Sequence, residues 1–478
     1  MKDYNRQIIN YWEREKVSNN KETNEQIRNI IKESMEFLKF GCPVRNNEEL
    51  NEVVKLCVLY HNLKNNPQFI IDKIKSTSNG FDIALSLTDR CGNSCWHCST
   101  NATLANDKMS VPIEALDQAL SEIAPYINFL YISCEGDPFY YESSVIKENG
   151  QIIKKNIVDV IKLLMKYKYD HISLQNMAPT AKKFHLLEDI LDIIDQEKGR
   201  NFVFIPQLSF NLYPPRAGLQ TRVRTDEKGF EFKELYIPSV KMSEFNDWLF
   251  RIIKELNEHT INKNNNSKKE PEGKSTSLSK KSTKLMRYLN DVKSAIFAYA
   301  SRGYMIHFEL RGDTFSEITN LKTMQFILDT LLEDIIKNNP EITFSKNLDS
   351  AYIIPLGRAT QLFPNGDNKE KVFFDKHVRM NPYNYLCENW MRWGSMTIDT
   401  KGFPQLCYSN LALTPKARTI RGPNLYHDGF KKIREFYIKV WEDRINFLKK
   451  NLPDLVRQKP NKHYCPLILF KQILSEFT

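Results

Sequence analysis

The sequence predicts an α/β fold in which parallel strands alternate with crossover helices. Short apolar runs recur at 81–87 (FDIALSL), 127–133 (INFLYIS), 171–175 (HISLQ), 202–210 (FVFIPQLSF), 304–310 (YMIHFEL) and 351–356 (AYIIPL). Longer stretches with helical periodicity lie between them, at 111–126, 152–167, 181–195, 243–256 together with 285–300, and 321–337. Strand–helix alternation of this kind implies parallel strands, in an α/β barrel or an open sheet. Six such units are fewer than the eight of a closed barrel, and functional residues are expected after the carboxyl ends of the strands.

The elements on either side read differently. Residues 1–78 show helical periodicity without strand signals: Ile8, Ile9 and Trp12 share a face, as do Ile27, Ile30, Ile31 and Met35, and then Val53, Val54, Cys57 and Val58. This predicts a helical N-terminal extension, with Cys42 and Cys57 as small buried hydrophobes. Within 212–238, two alternating runs flank DEKG and predict a β-hairpin leaving the fourth strand. Past residue 357 the alternation stops. The expected organisation is a helical extension over 1–78, the strand–helix core over 79–360, and a cysteine-bearing region over 361–478. That last region holds amphipathic helices around 430–450 and 467–477.

Composition sets limits on function. The chain has 478 residues, 41% of them hydrophobic, enough to bury a large core. No apolar run approaches the roughly 20 residues of a membrane span. The start, MKDYNRQIINYWEREK, has no apolar segment behind its charges, so export is not expected. Nine cysteines are too few for a disulfide scaffold in a chain of this size, and their grouping suggests metal ligation by reduced thiolates. A cytoplasmic location is the corresponding expectation. The net charge of +10 does not by itself indicate a nucleic-acid partner. Between Asn262 and Lys284 seven lysines and two glutamates contribute +5, half of the excess, in a low-complexity stretch read as a solvated insertion spanning about 259–284.

The sharpest motif follows the first strand directly: TDRCGNSCWHCST places Cys91, Cys95 and Cys98 at C-x3-C-x2-C spacing. Three thiolates in one loop can hold one inorganic cluster, and soft thiolate ligands select iron–sulfur or zinc. Three cysteines on a four-iron cluster leave one iron without a protein ligand, and an open position is what makes a metal site reactive. Zinc is the alternative; its usual signature is a pair of C-x2-C units, and the sequence holds a single one.

In this spacing, at the end of the first strand of an α/β core, the chain resembles the radical S-adenosylmethionine (SAM) superfamily. The resemblance implies a partial (β/α)6 barrel over roughly 81–360. It also implies a four-iron cluster on Cys91, Cys95 and Cys98, with SAM chelated to the open iron through its amino and carboxylate groups. One-electron reduction then cleaves the sulfonium to a 5′-deoxyadenosyl radical, which abstracts hydrogen from substrate. An electron donor such as flavodoxin or ferredoxin is implied as a partner. His97 precedes the last cysteine, where relatives often carry an aromatic side chain beside the adenine; it reads equally well as a loop residue with a backbone partner.

A second motif agrees with the first. SCEGDPFYY follows the second strand, where the superfamily usually shows Gly-Gly-Glu-Pro, a turn whose backbone receives the SAM amino group. Here the turn is Glu135-Gly136-Asp137-Pro138, so the first glycine is replaced and the acid is one methylene shorter. Gly136 and Pro138 still supply the tight turn. Cys134 beside it is a spectator or a substrate contact. Further positions implied by the resemblance are Asn176 after the third strand and Ser209 with Asn211 at the end of the fourth, where relatives bind ribose hydroxyls. Arg358, in a Gly-Arg-Ala segment seen at the last strand of relatives, orients a carboxylate or is structural.

Cys387, Cys407 and Cys465 lie far from the triplet. Fourteen residues separate Cys387 from Gly402 and four separate Gly402 from Cys407, with a strand-like run, a turn and a short second strand between. This is similar to the opening hairpin of the auxiliary-cluster domains called SPASM and twitch. The dense cysteine run of a full SPASM domain is missing, and a twitch site normally uses four cysteines. The alternatives are a site completed by a residue such as His463, a cluster with an iron open to substrate, or a hairpin with buried cysteines.

Relatives with such tails often modify peptides, so the favoured expectation is a peptide or protein maturase that forms a crosslink or oxidises a side chain. A small-molecule oxidoreductase in cofactor or natural-product biosynthesis is the alternative substrate class. A non-catalytic iron–sulfur redox sensor is the alternative outside enzymes.

Overall fold

The computed structural model of the chain describes residues 21–38, 47–68, 72, 80–98, 100–132, 135–197, 199, 202–225, 227, 229, 231–236, 247–252, 254, 282–312, 319–342, 346–352, 395–405 and 422–457. Two helices come first, α1 (Lys21–Met35) and α2 (Asn47–Asn65). Ile31 and Met35 of α1 and Val53, Leu56 and Cys57 of α2 are buried, as the helical periodicity requires. Ser34 Oγ donates to the Cys57 carbonyl at 2.9 Å. Burial pushes the Cys57 thiol up to about 12, so it packs as the small hydrophobe expected.

Next come β1 (Phe81–Leu85), α3 (Ile113–Ile123), β2 (Ile127–Ile132) and a hairpin of β3 (Ser143–Ile146) with β4 (Ile152–Lys155). They are followed by α4 (Ile157–Lys166), β5 (His171–Asn176), α5 (Phe184–Asp195) and β6 (Val203–Phe210). The hairpin expected in 212–238 is present as β7 (Gln220–Thr225) and β8 (Glu231–Tyr236). The chain continues through α6 (Ser282–Ala300), β9 (Ile306–Gly312), α7 (Leu321–Asn338) and β10 (Lys346–Tyr352). A second hairpin, β11 (Ser395–Ile398) with β12 (Pro404–Gln405), precedes α8 (Leu425–Arg457).

Among the described residues one eight-stranded sheet organises the core, in the order β10-β9-β6-β5-β2-β1-β11-β12. All its neighbours pair parallel except β11 and β12. From β1 to β10 each new parallel strand is added beside the previous one in the same direction. With right-handed crossovers, that progression sends every connecting helix to the same face. The helix-side residues are therefore apolar: Ile83, Leu85, Leu130, Ile132, Leu174, Leu208, Phe308 and Leu310 are all buried. Each large aliphatic or aromatic side chain buried in this way contributes roughly 1.5–3 kcal/mol. The opposite face carries the polar residues Tyr131, Ser173, Gln175, Gln207, Ser209, His307, Glu309 and Arg311, with Ala84, Phe129 and Ile205 among them.

Three findings revise the expectations. The sixth strand, expected at 351–356, starts earlier, as β10 at Lys346–Tyr352, and 353–356 lie outside the described residues. The helix expected from 152 starts at Ile157, because 152–155 pair antiparallel with 143–146. Asn156 then starts the helix as a reciprocal cap: Asn156 Oδ1 accepts the Val158 N–H at 2.8 Å and Asp159 Oδ2 accepts the Asn156 N–H at 3.0 Å. The hairpin between Cys387 and Cys407 joins the core sheet, β11 pairing parallel with β1 as a seventh parallel strand. Helix α8 packs on α2 and α3 and sets Phe430 and Tyr437 edge-on against Phe81, at 5.9 and 5.0 Å. No helix among the described residues is long and apolar enough to cross a membrane.

Replacing Asn156 with Ala removes one arm of the cap and is expected to lower unfolding stability by about 1 kcal/mol. Urea denaturation of the two proteins measures the difference.

Candidate functional site

The cysteine loop leaves β1 at the carboxyl edge of the sheet and is pinned along its length. The Ser86 N–H donates to the Ile398 carbonyl at 2.9 Å, the Cys91 N–H to Thr103 O at 3.0 Å, the Trp96 N–H to Tyr213 O at 3.3 Å and the Cys98 N–H to Cys95 O at 3.2 Å. Ser94 and Asn101 hold left-handed backbone, φ 47° and 57°, which costs a residue with a Cβ about 1–2 kcal/mol. The surrounding hydrogen bonds hold that conformation in place.

The EGDP turn stacks directly on this loop. A Cβ at Gly136 would stand 2.4 Å from Arg90 O and 2.5 Å from Thr88 O, so only glycine fits. The Asp137 N–H donates to Arg90 O at 3.1 Å, Asn93 Nδ2 to Asp137 Oδ2 at 2.7 Å, and Thr100 Oγ1 to Glu135 O at 2.8 Å. Asp137 Oδ1 also accepts the Phe139 N–H at 3.0 Å, starting the short helical turn Pro138–Tyr140. The Tyr140 ring fills the space where a Cβ at Gly92 would lie, and the Lys183 ammonium sits 4.1 Å from the centre of that ring while donating to Phe139 O. The two motifs are thus one interlocked unit.

Electrostatics follow from burial. Desolvation pushes the Cys91 thiol up to about 12; Asp137 and Cys98 add to the rise, and backbone N–H groups of Asn93 and Ser94 oppose it. Desolvation also raises Asp137 to about 6, against the N–H of Phe139, the cations Arg216 and Lys183, and Asn93. Glu135 is raised by burial too, while its carboxylate accepts both the N–H, at 2.8 Å, and the hydroxyl of Thr400. That carboxylate is therefore directed at the β11–β12 turn.

Other sequence candidates occupy distinct places. His97 packs against Tyr213, ring centres 4.7 Å apart. Asn176 is buried toward α6, with Nδ2 3.1 Å from Leu174 O and 3.3 Å from Tyr299 Oη. Asn211 Oδ1 accepts the Tyr213 N–H at 3.1 Å in a local turn. Ser209 lies on the polar face and donates to Glu309 Oε2 at 2.7 Å. Arg358, Cys134, Cys387, Cys407, Cys465 and His463 fall outside the described residues.

Sequence reasoning missed Asn93, Thr100, Tyr140, Lys183 and Thr400, which brace the two loops. It also missed a polar group on the open face of the sheet. Gln175 Nε2 donates to Glu309 Oε2 at 2.7 Å, and Arg311 pairs with the other oxygen of the same carboxylate. A signal was present: the parallel strands HISLQN, VFIPQLSF and IHFELRG alternate, whereas parallel strands buried on both faces read as continuous apolar runs.

The loop chemistry fits an iron–sulfur cluster. Three thiols share one loop, and N–H groups of Asn93, Ser94 and Ala102 point at two of the sulfurs. Among the described residues no three histidine, cysteine or acidic side chains converge on a single-ion position.

No protein-family model and no curated protein matches the chain. Among solved structures it is similar to Streptococcus suis SuiB bound to precursor peptide SuiA. That pair is 13% identical with a TM-score of 0.33, over 85% of this chain and 73% of that one. It is also similar to the FeFe-hydrogenase maturase HydG from Carboxydothermus hydrogenoformans, 12% identical with a TM-score of 0.30, over 76% of this chain and 64% of that one. Overlaps this loose leave the functional reading to rest on the chain's own residues.

Two outcomes are expected. Gly136→Ala forces its Cβ against two carbonyl oxygens and lowers stability by about 1–3 kcal/mol, whereas Gly199→Ala, with open space around it, does not; urea melts compare them. Asp137 has a folded value, about 6, above the ordinary 3.8, so the folded state holds its proton more tightly than the unfolded one. Its contribution favours folding below about pH 4 and is lost as pH rises through about 6, and Asp137→Asn removes that part of the slope in a stability–pH series.

Proposed function

We propose that this chain is a radical SAM enzyme whose cluster is held by Cys91, Cys95 and Cys98. The observation that carries the reading is the interlock of the three-cysteine loop with the Glu135-Gly136-Asp137-Pro138 turn across β1 and β2. Bound there, a four-iron cluster and SAM supply one-electron sulfonium cleavage and hydrogen abstraction.

The protein's part is placement. Cysteine ligation requires thiolates, so the buried Cys91 releases its proton as the metal enters. The Glu135-Gly136-Asp137-Pro138 turn is the part of the chain that would hold the SAM amino group, with one Glu135 oxygen, Oε2, engaged by Thr400. His97 and Tyr213 supply ring surface beside the loop for the adenine. The face bearing Gln175, Ser209, Glu309 and Arg311 lines the substrate side, where fixed polar groups orient a bound molecule.

The favoured substrate is a peptide or protein. Support comes from the β7–β8 hairpin, which stands beside the loop with the Lys233 ammonium 5.5 Å from the centre of the Trp96 ring and leaves Val223 exposed, an added surface next to the cysteines. An auxiliary cluster on Cys387, Cys407 and Cys465 belongs to the same proposal, since the β11–β12 hairpin lies between the first two and its Thr400 meets the Glu135 turn.

The test is anaerobic reconstitution followed by measurement of iron, sulfide and 5′-deoxyadenosine formed from SAM with dithionite, beside a Cys91/Cys95/Cys98→Ala triple variant. The expected result is about eight irons per chain, falling to about four with loss of cleavage in the variant. About four falling to none keeps the radical reading and removes the auxiliary cluster. A filled cluster without cleavage in the unaltered protein overturns the reading in favour of a redox sensor.

A further inference from the structure

The three thiols sit in unlike surroundings. Cys91 Sγ faces the backbone N–H groups of Asn93 and Ser94, and Cys95 Sγ lies 3.5 Å from the Met177 thioether sulfur. Cys98 Sγ accepts the Ala102 N–H at 3.3 Å and lies 3.3 Å from Thr100 Oγ1. Cys98 thus has the Thr100 hydroxyl in contact.

Thr100 stands at a fork. Its Oγ1 donates to the Glu135 carbonyl at 2.8 Å while touching Cys98 Sγ. A hydroxyl has one proton to give and two lone pairs to receive with. When Cys98 is a thiol, the S–H donates to Thr100 and Thr100 donates to Glu135, and the relay is complete. A thiolate can only accept. Once Cys98 is a ligand, its sulfur competes with the Glu135 carbonyl for the Thr100 proton, and bonds to an ionised acceptor are the stronger kind.

We propose that Thr100 is a positioning residue that donates its hydroxyl proton to Cys98 in the cluster-bound protein and raises the reduction potential of that cluster. The inference rests on the assignment of Cys98 as a cluster ligand. Reduction adds an electron to the iron–sulfur unit and increases negative charge on its sulfurs. A donor at one sulfur therefore stabilises the reduced form more than the oxidised form, which moves the potential upward. Ala102 adds a backbone donor to the same sulfur that no side-chain substitution at 100 removes, so Thr100 is the adjustable part of this environment.

The experiment compares the reconstituted full chain with Thr100→Val and Thr100→Ser. Iron and sulfide per chain are measured first. Reduction potentials then come from dithionite titration followed by electron paramagnetic resonance, without substrate. The expected result is equal iron in all three, a potential in Thr100→Ser matching the unaltered protein, and a more negative potential in Thr100→Val. An unmoved potential in Thr100→Val at equal iron overturns the proposal and leaves Thr100 as a brace for the Glu135 turn. Loss of the cluster from Thr100→Val but not from Thr100→Ser overturns it likewise, as a structural role for the hydroxyl. Failure of the unaltered protein to hold any cluster is a different result: it removes the ligand assignment itself.

Discussion

The carboxyl end of this sheet depends on how closely two backbones can approach. The loop after β1 and the turn after β2 are neighbours because their strands pair, yet neighbouring loops ordinarily diverge into solvent. Here Gly136 lets the turn descend onto Thr88 and Arg90, at a separation that any Cβ would prevent. That approach brings the Asp137 N–H to the Arg90 carbonyl and places Asn93 and Thr100 within reach of the turn. Each such bond is worth roughly 0.5–1.5 kcal/mol, and together they hold a loop containing two left-handed non-glycine residues in a single conformation.

The sheet that carries these loops divides its labour by face. Its helix side is buried and apolar, supplying the hydrophobic stabilisation that the strained loop draws upon. Its other side bears a buried Glu309 gripped by Gln175, Ser209 and Arg311, three side chains from three adjacent strands. A carboxylate satisfied in this way escapes the penalty of an unpaired buried charge and becomes a rigid feature. Under the function proposed above this face meets substrate, and rigidity there suits a protein whose part is orientation while a cofactor carries the chemistry.

The C-terminal hairpin ties remote chain segments to the same unit. β11 extends the sheet beyond β1, Ser86 at the start of the cysteine loop bonds to Ile398, and Thr400 in the following turn takes the Glu135 carboxylate. A segment more than 300 residues beyond β1 in the chain thereby buttresses both motifs at once. Glu135, where the resemblance had the first glycine of its turn, gains a structural role through this contact.

The sequence by itself determined the class of fold and the three-cysteine loop. Apolar runs separated by helical periodicity are local patterns, and thiol spacing within eight residues is a local fact. It also carried the hairpin at 212–238 and the buried Cys57. The start of α4 was obscured because Ile152 and Ile153 suit either element, and only pairing with 143–146 decides between them. Tertiary structure alone decided that β11 lies beside β1, that Thr400 meets Glu135, and that Glu309 gathers Gln175, Ser209 and Arg311. Arg311 apart, which lies two positions from Glu309, these contacts join residues 100 or more positions apart, and polar side chains carry no periodicity that names their partners. Chain closure over such distances is set by how the whole sheet assembles, which no window of sequence contains.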